Sequence, residues 1–168
     1  MTDQTPSLEA PPVDGSPVEG PGAEPIWRLA YFSHARLEGG RDAILREVTS
    51  ILAVSRRNNT AAGVTGGLLF NSGGFAQVLE GTRQAVGDTF ERIQCDPRHT
   101  DVLVLAYEPV AARQFDVWSM GFVGADLGDA RLFGALHADS GFDPSRFTGN
   151  TVAETLCRLL LEEEVVRA

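Results

Sequence analysis

The stretch GGLLFNSGGFAQVLEG, residues 66–81, decides the fold. Two runs of strand length, Gly66–Asn71 and Gly74–Glu80, flank the turn-forming sequence Asn71-Ser72-Gly73-Gly74. Asn and Gly readily adopt the left-handed backbone conformations that tight hairpin turns require. The two runs are therefore predicted to pair as a β-hairpin.

The segments on both sides of the hairpin extend it into a longer order of elements. Residues 26–33 alternate as a strand, and residues 41–57 carry apolar side chains at helical spacing. A second helix is predicted for residues 82–95, followed by strands at 101–110 and 115–123. This order predicts an α+β fold, a ferredoxin-like sandwich, in which a five-stranded mixed sheet carries two helices on one face.

The other face of this sheet is expected to be covered by helices from the C-terminal region. Six apolar residues are predicted to point towards that face: Ala30, Phe32, Ala76, Val78, Val102 and Val104. Thr151–Glu154 has the pattern of a helix-capping box, and an apolar stripe of Leu156, Leu159 and Leu160 follows it. A shorter helix is predicted for residues 126–137.

Composition divides the chain and excludes several classes of function. Residues 1–24 are rich in Pro, Gly and acidic residues and form a predicted disordered tail. The net charge of −9 argues against a nucleic-acid-binding surface, which needs clustered Lys and Arg. No stretch approaches the roughly 20 apolar residues of a membrane span, and the acidic N-terminus is unlike a signal peptide. We therefore expect a cytoplasmic protein that binds neither nucleic acid nor membrane, and the scattered His and Cys predict no metal site.

Gln77 is the most unusual residue of the hairpin. The alternation places it between Phe75 and Leu79, on the face beneath the helices. A buried amide without a partner costs about 1–3 kcal/mol, so Gln77 needs one. Tyr31 is predicted to lie on the same side of the first strand and can reach it. A structural amide bonded to backbone and a simple core polar pair both fit this pattern.

More polar residues collect where the two predicted helices end. They are Ser55, Asn58 and Asn59 at the first helix, and Arg92, Asp96, Arg98 and His99 at the second. Amides match the donor and acceptor edge of a heterocyclic ring, and guanidinium groups match phosphate. The set is typical of a slot for a nucleotide cofactor.

Over about residues 26–123 the chain resembles the BLUF family of blue-light sensors, which hold FAD. The resemblance rests on six motifs in one order: Arg28-Leu29-x-Tyr31-x-Ser33, Ser55-Arg56-x-Asn58-Asn59, Gly63-Val64-Thr65-Gly66, Gly74-Phe75-x-Gln77-x-Leu79-Glu80-Gly81, Asp96-Pro97-Arg98-His99 and Arg113-x-Phe115-x-x-Trp118-Ser119-Met120. Ala76 and Phe70 depart from the family pattern. The resemblance implies a flavin-binding domain at residues 25–123 and a helical cap, serving output, at residues 124–168.

The resemblance also implies a role for each matching residue. Asn59, with Asn58 and Ser55 beside it, is expected to bond the flavin ring, and Gln77 to lie between Tyr31 and the flavin. Four residues are expected nearer the far edge of the ring, the ribityl chain or the phosphates: Arg92, Asp96, Arg98 and His99. Trp118 and Met120 are predicted to share a face of the last strand, where either can point into the pocket.

The implied activity is light sensing and not turnover. Tyr31 is expected to give an excited flavin an electron, then a proton through Gln77, which ends rotated or tautomerised. Residues 124–168 are too few for an enzymatic effector, so we expect output through a separate effector protein or through a homo-oligomer. Two alternatives remain open: a flavin-free interaction module of the same fold and a small acylphosphatase-like enzyme.

Overall fold

A computed structural model describes residues 24–71, 73–124 and 148–167. The elements run in the order β1 (Ile26–Ala35), α1 (Arg41–Ala62), β2 (Thr65–Asn71), β3 (Gly74–Gly81), α2 (Arg83–Gln94), β4 (His99–Val110), β5 (Gly121–Gly124) and α3 (Gly149–Arg167). The predicted helix at 126–137 and the predicted tail up to residue 23 lie outside the described residues.

The five strands form one mixed sheet in the order β4-β1-β3-β2-β5. Neighbouring strands are antiparallel except β2 and β5, which are parallel. The residues that pack with α1 and α2 form one core, and those that pack with α3 form a second core. The ferredoxin-like α+β sandwich predicted from the sequence is therefore confirmed.

The hairpin forms as predicted, and β3 becomes the central strand. Asn71 pairs with Gly74, and every residue of β3 is buried. On its other side β3 pairs with β1, where Tyr31 lies directly opposite Gln77. Because paired residues point to the same face of a sheet, both side chains project towards α1 and α2.

Helix α1 extends five residues further than the sequence pattern suggested. It ends at Ala62, where Gly63 adopts a left-handed conformation with φ of 66° and its N–H bonds Asn59 O and Thr60 O. Asn58 and Asn59 therefore lie inside the last turns of the helix, which fixes the direction of their side chains.

The prediction that Val102 and Val104 face α3 is wrong. Ala30 pairs with Ala106 but Tyr31 pairs with Val104, so one extra residue interrupts the β4 register at this point. Such a bulge reverses which face the following side chains take. Val102 consequently packs into the core beneath α1 and α2, and Val104 is 44% exposed.

The last predicted strand is also shorter than expected. Residues 111–120 form bends and turns, and only Gly121–Gly124 pairs with β2. The backbone N–H groups of Gln114 and Phe115 donate to the side-chain carboxylate of Glu80 and not to the backbone of a neighbouring strand. Trp118 N–H bonds Phe115 O, which closes a turn. We call residues 111–120 the connecting segment.

Helix α3 packs closely on the edge of the sheet where β2 and β5 pair. Gly67 lies opposite Gly121, and both face Leu160 of α3. A Cβ added to Gly121 would lie 2.6 Å from Leu160 Cδ1, and one added to Gly67 would lie 3.0 Å from the same atom. The helix begins one residue after Thr148, whose Oγ1 accepts the Thr151 N–H, so Thr148 and not Thr151 supplies the cap.

Candidate functional site

A cleft with a cavity volume of about 90 Å³ opens on the face of the sheet that carries α1 and α2. All the predicted cofactor-binding residues except Tyr31 line it: Ser55, Asn58, Asn59, Gln77, Arg92, Asp96, Arg98 and His99. Apolar side chains complete the walls, among them Ile51, Leu68 and Ile93. Residues far apart in sequence thus meet at one polar slot with an apolar lining.

Tyr31 lies beneath the cleft and bonds its floor. Its hydroxyl donates to Gln77 Oε1. Tyr31 is 0% exposed and Gln77 is 3% exposed. Burial raises the pKa of the Tyr31 phenol, and the negative charge of Asp96 raises it further. The phenol therefore stays protonated and acts as the donor to Gln77. The Phe90 ring packs on Tyr31 at a centroid distance of 5.3 Å and helps exclude water.

The other end of the Gln77 amide contacts Met120. Gln77 Nε2 donates to Met120 Sδ at 3.4 Å, and Met120 is 2% exposed. Trp118 lies on the opposite side, packed against the core beneath α3, with its ring 6.2 Å from that of Phe115. The prediction that Trp118 and Met120 share a strand face is wrong because residues 115–120 are not a strand. Met120 is the one that faces Gln77.

The last turns of α1 hold the end of the connecting segment in place. Asn59 Nδ2 donates to Ser119 O at 2.8 Å, and Asn59 is only 1% exposed. Arg56 Nε donates to Met120 O at 3.0 Å. Sequence reasoning assigned no role to Arg56, although it lies three residues before Asn59 and so on the same side of the helix.

The far wall of the cleft carries a set of paired charges. Arg98 bonds both oxygens of Asp96, with Nη2 to Oδ2 at 2.6 Å, and its Nη1 lies 3.3 Å from Glu47 Oε2. The bond from Arg98 lowers the pKa of Asp96, and the same bond raises that of Arg98. Arg92 is exposed and donates to Thr89 Oγ1 at 3.0 Å. Thr89 also lines the cleft and was not predicted from the sequence.

His99 supplies an uncharged ring between this wall and Tyr31. Its Nδ1 lies 2.8 Å from Ser33 Oγ, and its ring lies 4.5 Å from the Phe75 ring and 6.2 Å from that of Tyr31. Burial lowers the pKa of His99 to about 4, so the ring is neutral at pH 7. Ser33 belongs to the first of the six sequence motifs, but its pairing with His99 was not predicted from the sequence.

The donor set of this cleft fits a flat heterocycle joined to phosphate. Amide groups and apolar walls surround the inner part, and Arg side chains lie at the outer part. Within residues 24–71, 73–124 and 148–167, no group of three or more His, Cys, Asp or Glu could hold a metal ion. The fold and cleft together define a small α+β domain with a slot for a nucleotide cofactor.

Comparison with known proteins identifies the family. The family described as "BLUF: Sensors of blue-light using FAD" matches residues 26–121. The chain belongs to this family, whose members sense blue light with FAD, and the predicted resemblance is confirmed.

Individual relatives agree with this assignment. The blue light- and temperature-regulated antirepressor BluF of Escherichia coli (strain K12) is 35% identical over 104 residues, or 62% of this chain and 24% of that protein. Photoactivated adenylate cyclase subunit beta of Euglena longa is 30% identical over 107 residues, or 63% of this chain and 12% of that protein. The dark-state structure of BlrB, a BLUF protein, has a TM-score of 0.65 and 30% identity, covering 83% of this chain and 98% of that one.

The chain spans 24% or less of the length of these two curated relatives. No helix among the described residues is both long enough and apolar enough to cross a membrane.

Proposed function

We propose that this chain is a non-enzymatic blue-light photoreceptor in which Tyr31 and Gln77 form the switch and Met120 receives its change. The observation that carries the proposal is the continuous buried contact from the Tyr31 hydroxyl, through the Gln77 amide, to Met120 Sδ. A switch needs a group with two different hydrogen-bonding ends, each held by its own partner. The Gln77 amide has an acceptor oxygen bonded to Tyr31 and a donor nitrogen bonded to Met120.

The residues that line the cleft are suited to hold FAD. Asn59, whose amide is oriented by its bond to Ser119 O, would contact the flavin ring with Asn58 and Ser55 beside it. Arg98 and Arg92 supply guanidinium groups for the ribityl or phosphate end. When bound, FAD absorbs blue light and supplies an excited flavin that accepts an electron and a proton.

In this proposal Tyr31 provides both the electron and the proton. Its hydroxyl proton would move along the existing hydrogen bond to Gln77 Oε1 as the ring gives up one electron, and the Gln77 amide would release an Nε2 proton in its place; the electron and the proton return to the phenol at the end of the cycle. Complete burial of Tyr31 keeps water from exchanging with this proton. The chain finishes each cycle chemically unchanged, so the signal is an altered arrangement of the Gln77 amide.

That altered arrangement reaches Met120 directly. Gln77 Nε2 donates to Met120 Sδ in the structure described here. Rotation of the amide by half a turn would bring Oε1 against the sulfur, and two acceptors repel each other. The same rotation would present Nε2 to the Tyr31 oxygen, which can accept. Rotation therefore keeps the contact with Tyr31 and replaces the attraction at Met120 by repulsion.

Output would pass from the connecting segment to α3 and then to a separate effector or to a second copy of this chain. Phe115 and Trp118 of this segment pack in the core that α3 covers. The names of the relatives give two precedents for effectors, an antirepressor and an adenylate cyclase. Hydrogen exchange of α3 and the oligomeric state, compared in darkness and under blue light, test this step, and it fails if neither changes.

The switch is tested by Tyr31→Phe and Gln77→Leu. Each variant should purify with yellow flavin but lose the light-induced red shift of the flavin absorption. Tyr107→Phe is the matched control, because the Tyr107 hydroxyl is exposed and bonds Arg83 O away from the cleft. A full red shift in Y31F or Q77L would refute the assignment. A wild-type protein that binds no flavin would favour the flavin-free interaction module.

A further inference from the structure

Strand β3 holds the connecting segment at two places through side chains on its two faces. Gln77 faces the cleft and contacts Met120 near the end of the segment. Glu80 faces α3 and accepts hydrogen bonds from Gln114 and Phe115 near its start. The proposed switch uses the first attachment and gives no role to the second.

The Glu80 carboxylate is fully buried and bonded on both oxygens. Its Oε1 accepts from Arg28 Nε at 2.8 Å and Nη2 at 2.7 Å, and its Oε2 accepts from Gln114 N at 2.8 Å and Phe115 N at 3.0 Å. Four hydrogen-bond donors therefore converge on the carboxylate, whose two oxygens serve only as acceptors. A buried ion pair is weak support for stability, because well-packed apolar residues often do as well. Its directional bonds to two consecutive N–H groups point to positioning.

Neighbouring contacts fix the same end of the segment. Arg113 Nη1 donates to Glu80 O at 2.7 Å and to Thr65 Oγ1 at 2.9 Å, and its Nη2 donates to Gly63 O at 2.8 Å. Phe115 is 0% exposed. The start of the connecting segment is thus attached through short, charge-assisted bonds, which are stronger than neutral ones.

At the other end of the segment, the Met120 side chain is held only weakly against Gln77. The sulfur of Met120 is a weak acceptor, and its contact with Gln77 spans 3.4 Å. Only four residues separate Phe115 from Met120, and the turn from Trp118 N–H to Phe115 O shortens this stretch further. The position of Met120 is therefore set jointly by the attachment of Phe115 at one end of this stretch and, at the other, by the bonds from Arg56 to Met120 O and from Asn59 to Ser119 O.

We propose that Glu80 is a positioning residue for the switch: its carboxylate fixes the start of the connecting segment so that Met120 Sδ lies against the Gln77 amide. The inference rests on the proposed function, because it concerns the same switch. Glu80 should therefore influence the rate at which the light-induced state returns to the dark state, because that rate depends on how easily Met120 re-forms its bond with Gln77.

Glu80→Gln tests the proposal with the smallest change of shape. An amide cannot accept at both ends, so its NH2 must face either Arg28 or the two backbone N–H groups. We expect E80Q to retain flavin and the red shift, because Tyr31 and Gln77 are unchanged, and to change the rate of dark recovery roughly fivefold or more. Glu162→Gln is the control, since it removes an exposed ion pair with Arg158 on α3 and should recover as the wild type does.

A double-mutant cycle separates positioning from general loss of stability. Met120→Leu removes the sulfur but keeps an apolar side chain of similar volume. If Glu80 acts by placing Met120, E80Q should change the recovery rate less than about twofold in the M120L background. A lower melting temperature with wild-type recovery, or independent effects of E80Q and M120L, would overturn the inference.

Two further outcomes keep this test separate from that of the switch. Should E80Q not fold, Arg28→Lys retains the charge but loses the paired bonds to Oε1, and should alter recovery in the same direction. Unchanged recovery in R28K would then count against the proposal. A wild-type protein with bound flavin and no red shift would instead defeat the proposed function itself.

Discussion

Gly121→Ala should loosen the attachment of α3 to the sheet. The added Cβ would lie 2.6, 2.8 and 3.2 Å from Leu160 Cδ1, Cδ2 and Cγ. Leu160 is 4% exposed and is held among other core side chains, so it cannot turn away into solvent. The helix, the strand or both must move.

The expected loss of stability follows from two opposing effects. Overpacking a core by one methyl group typically costs about 1–3 kcal/mol. Replacing Gly by Ala recovers about 0.4–1 kcal/mol, because the unfolded chain has less freedom to lose. A net loss of about 1–2 kcal/mol remains, and in a domain of this size it lowers the melting temperature by roughly 2–8 °C.

Thermal and urea unfolding followed by circular dichroism measures this loss. In a Leu160→Ala background the three crowded atoms are absent, so Gly121→Ala should there be neutral or stabilising. Gly87→Ala in α2 is the matched control: its Cβ would meet only the Tyr107 hydroxyl at 3.5 Å, and a helical Ala should raise stability by about 0.5–1 kcal/mol. The close packing of α3 on Gly121 is refuted if G121A is as stable as the wild type, or if its loss persists in L160A.

Two further predictions concern pH and capping. Burial lowers the pKa of His99 from 6.5 to about 4, so the unfolded chain binds one more proton between these values and stability should fall by roughly 1–3 kcal/mol as pH falls through this window. Urea unfolding at several pH values measures this dependence; His99→Gln should flatten it, and an unchanged slope in H99Q would contradict the cause. Thr148→Ala should cost about 1 kcal/mol through loss of the α3 cap, and Thr151→Ala should cost less; the reverse order in chemical denaturation would restore the cap predicted from the sequence.

Local patterns predicted the elements and the polar slot because each depends on neighbours in sequence. The hairpin followed from turn residues between two runs of strand length, and the position of Gln77 followed from simple alternation in β3. Helical spacing brought Asn59 to the cleft, although the end of α1 was placed five residues early. The helix stops at Gly63, which follows Ala61 and Ala62 in the sequence and adopts a left-handed conformation.

What the sequence could not predict depends on contacts between distant residues. One extra residue in β4, between Val104 and Ala106, reverses the faces of Val102 and Val104, and nothing in an apolar run marks where such a bulge lies. The connecting segment read as a strand because Phe115 and Trp118 are apolar, yet its N–H groups bond a carboxylate 34 and 35 positions away in sequence. Which of Trp118 and Met120 faces Gln77 depended on that same folded segment.

Alternate residues of β3 face opposite sides of the sheet and serve two different packing partners. Odd-numbered positions such as Phe75 and Gln77 face α1, α2 and the cleft, and even-numbered positions such as Ala76 and Val78 face the side that α3 covers. The α3-facing positions other than Glu80 could therefore change with the effector while the residues that face the cleft stay the same. Directed evolution could exploit this separation by randomising the even-numbered positions of β3 while keeping Glu80.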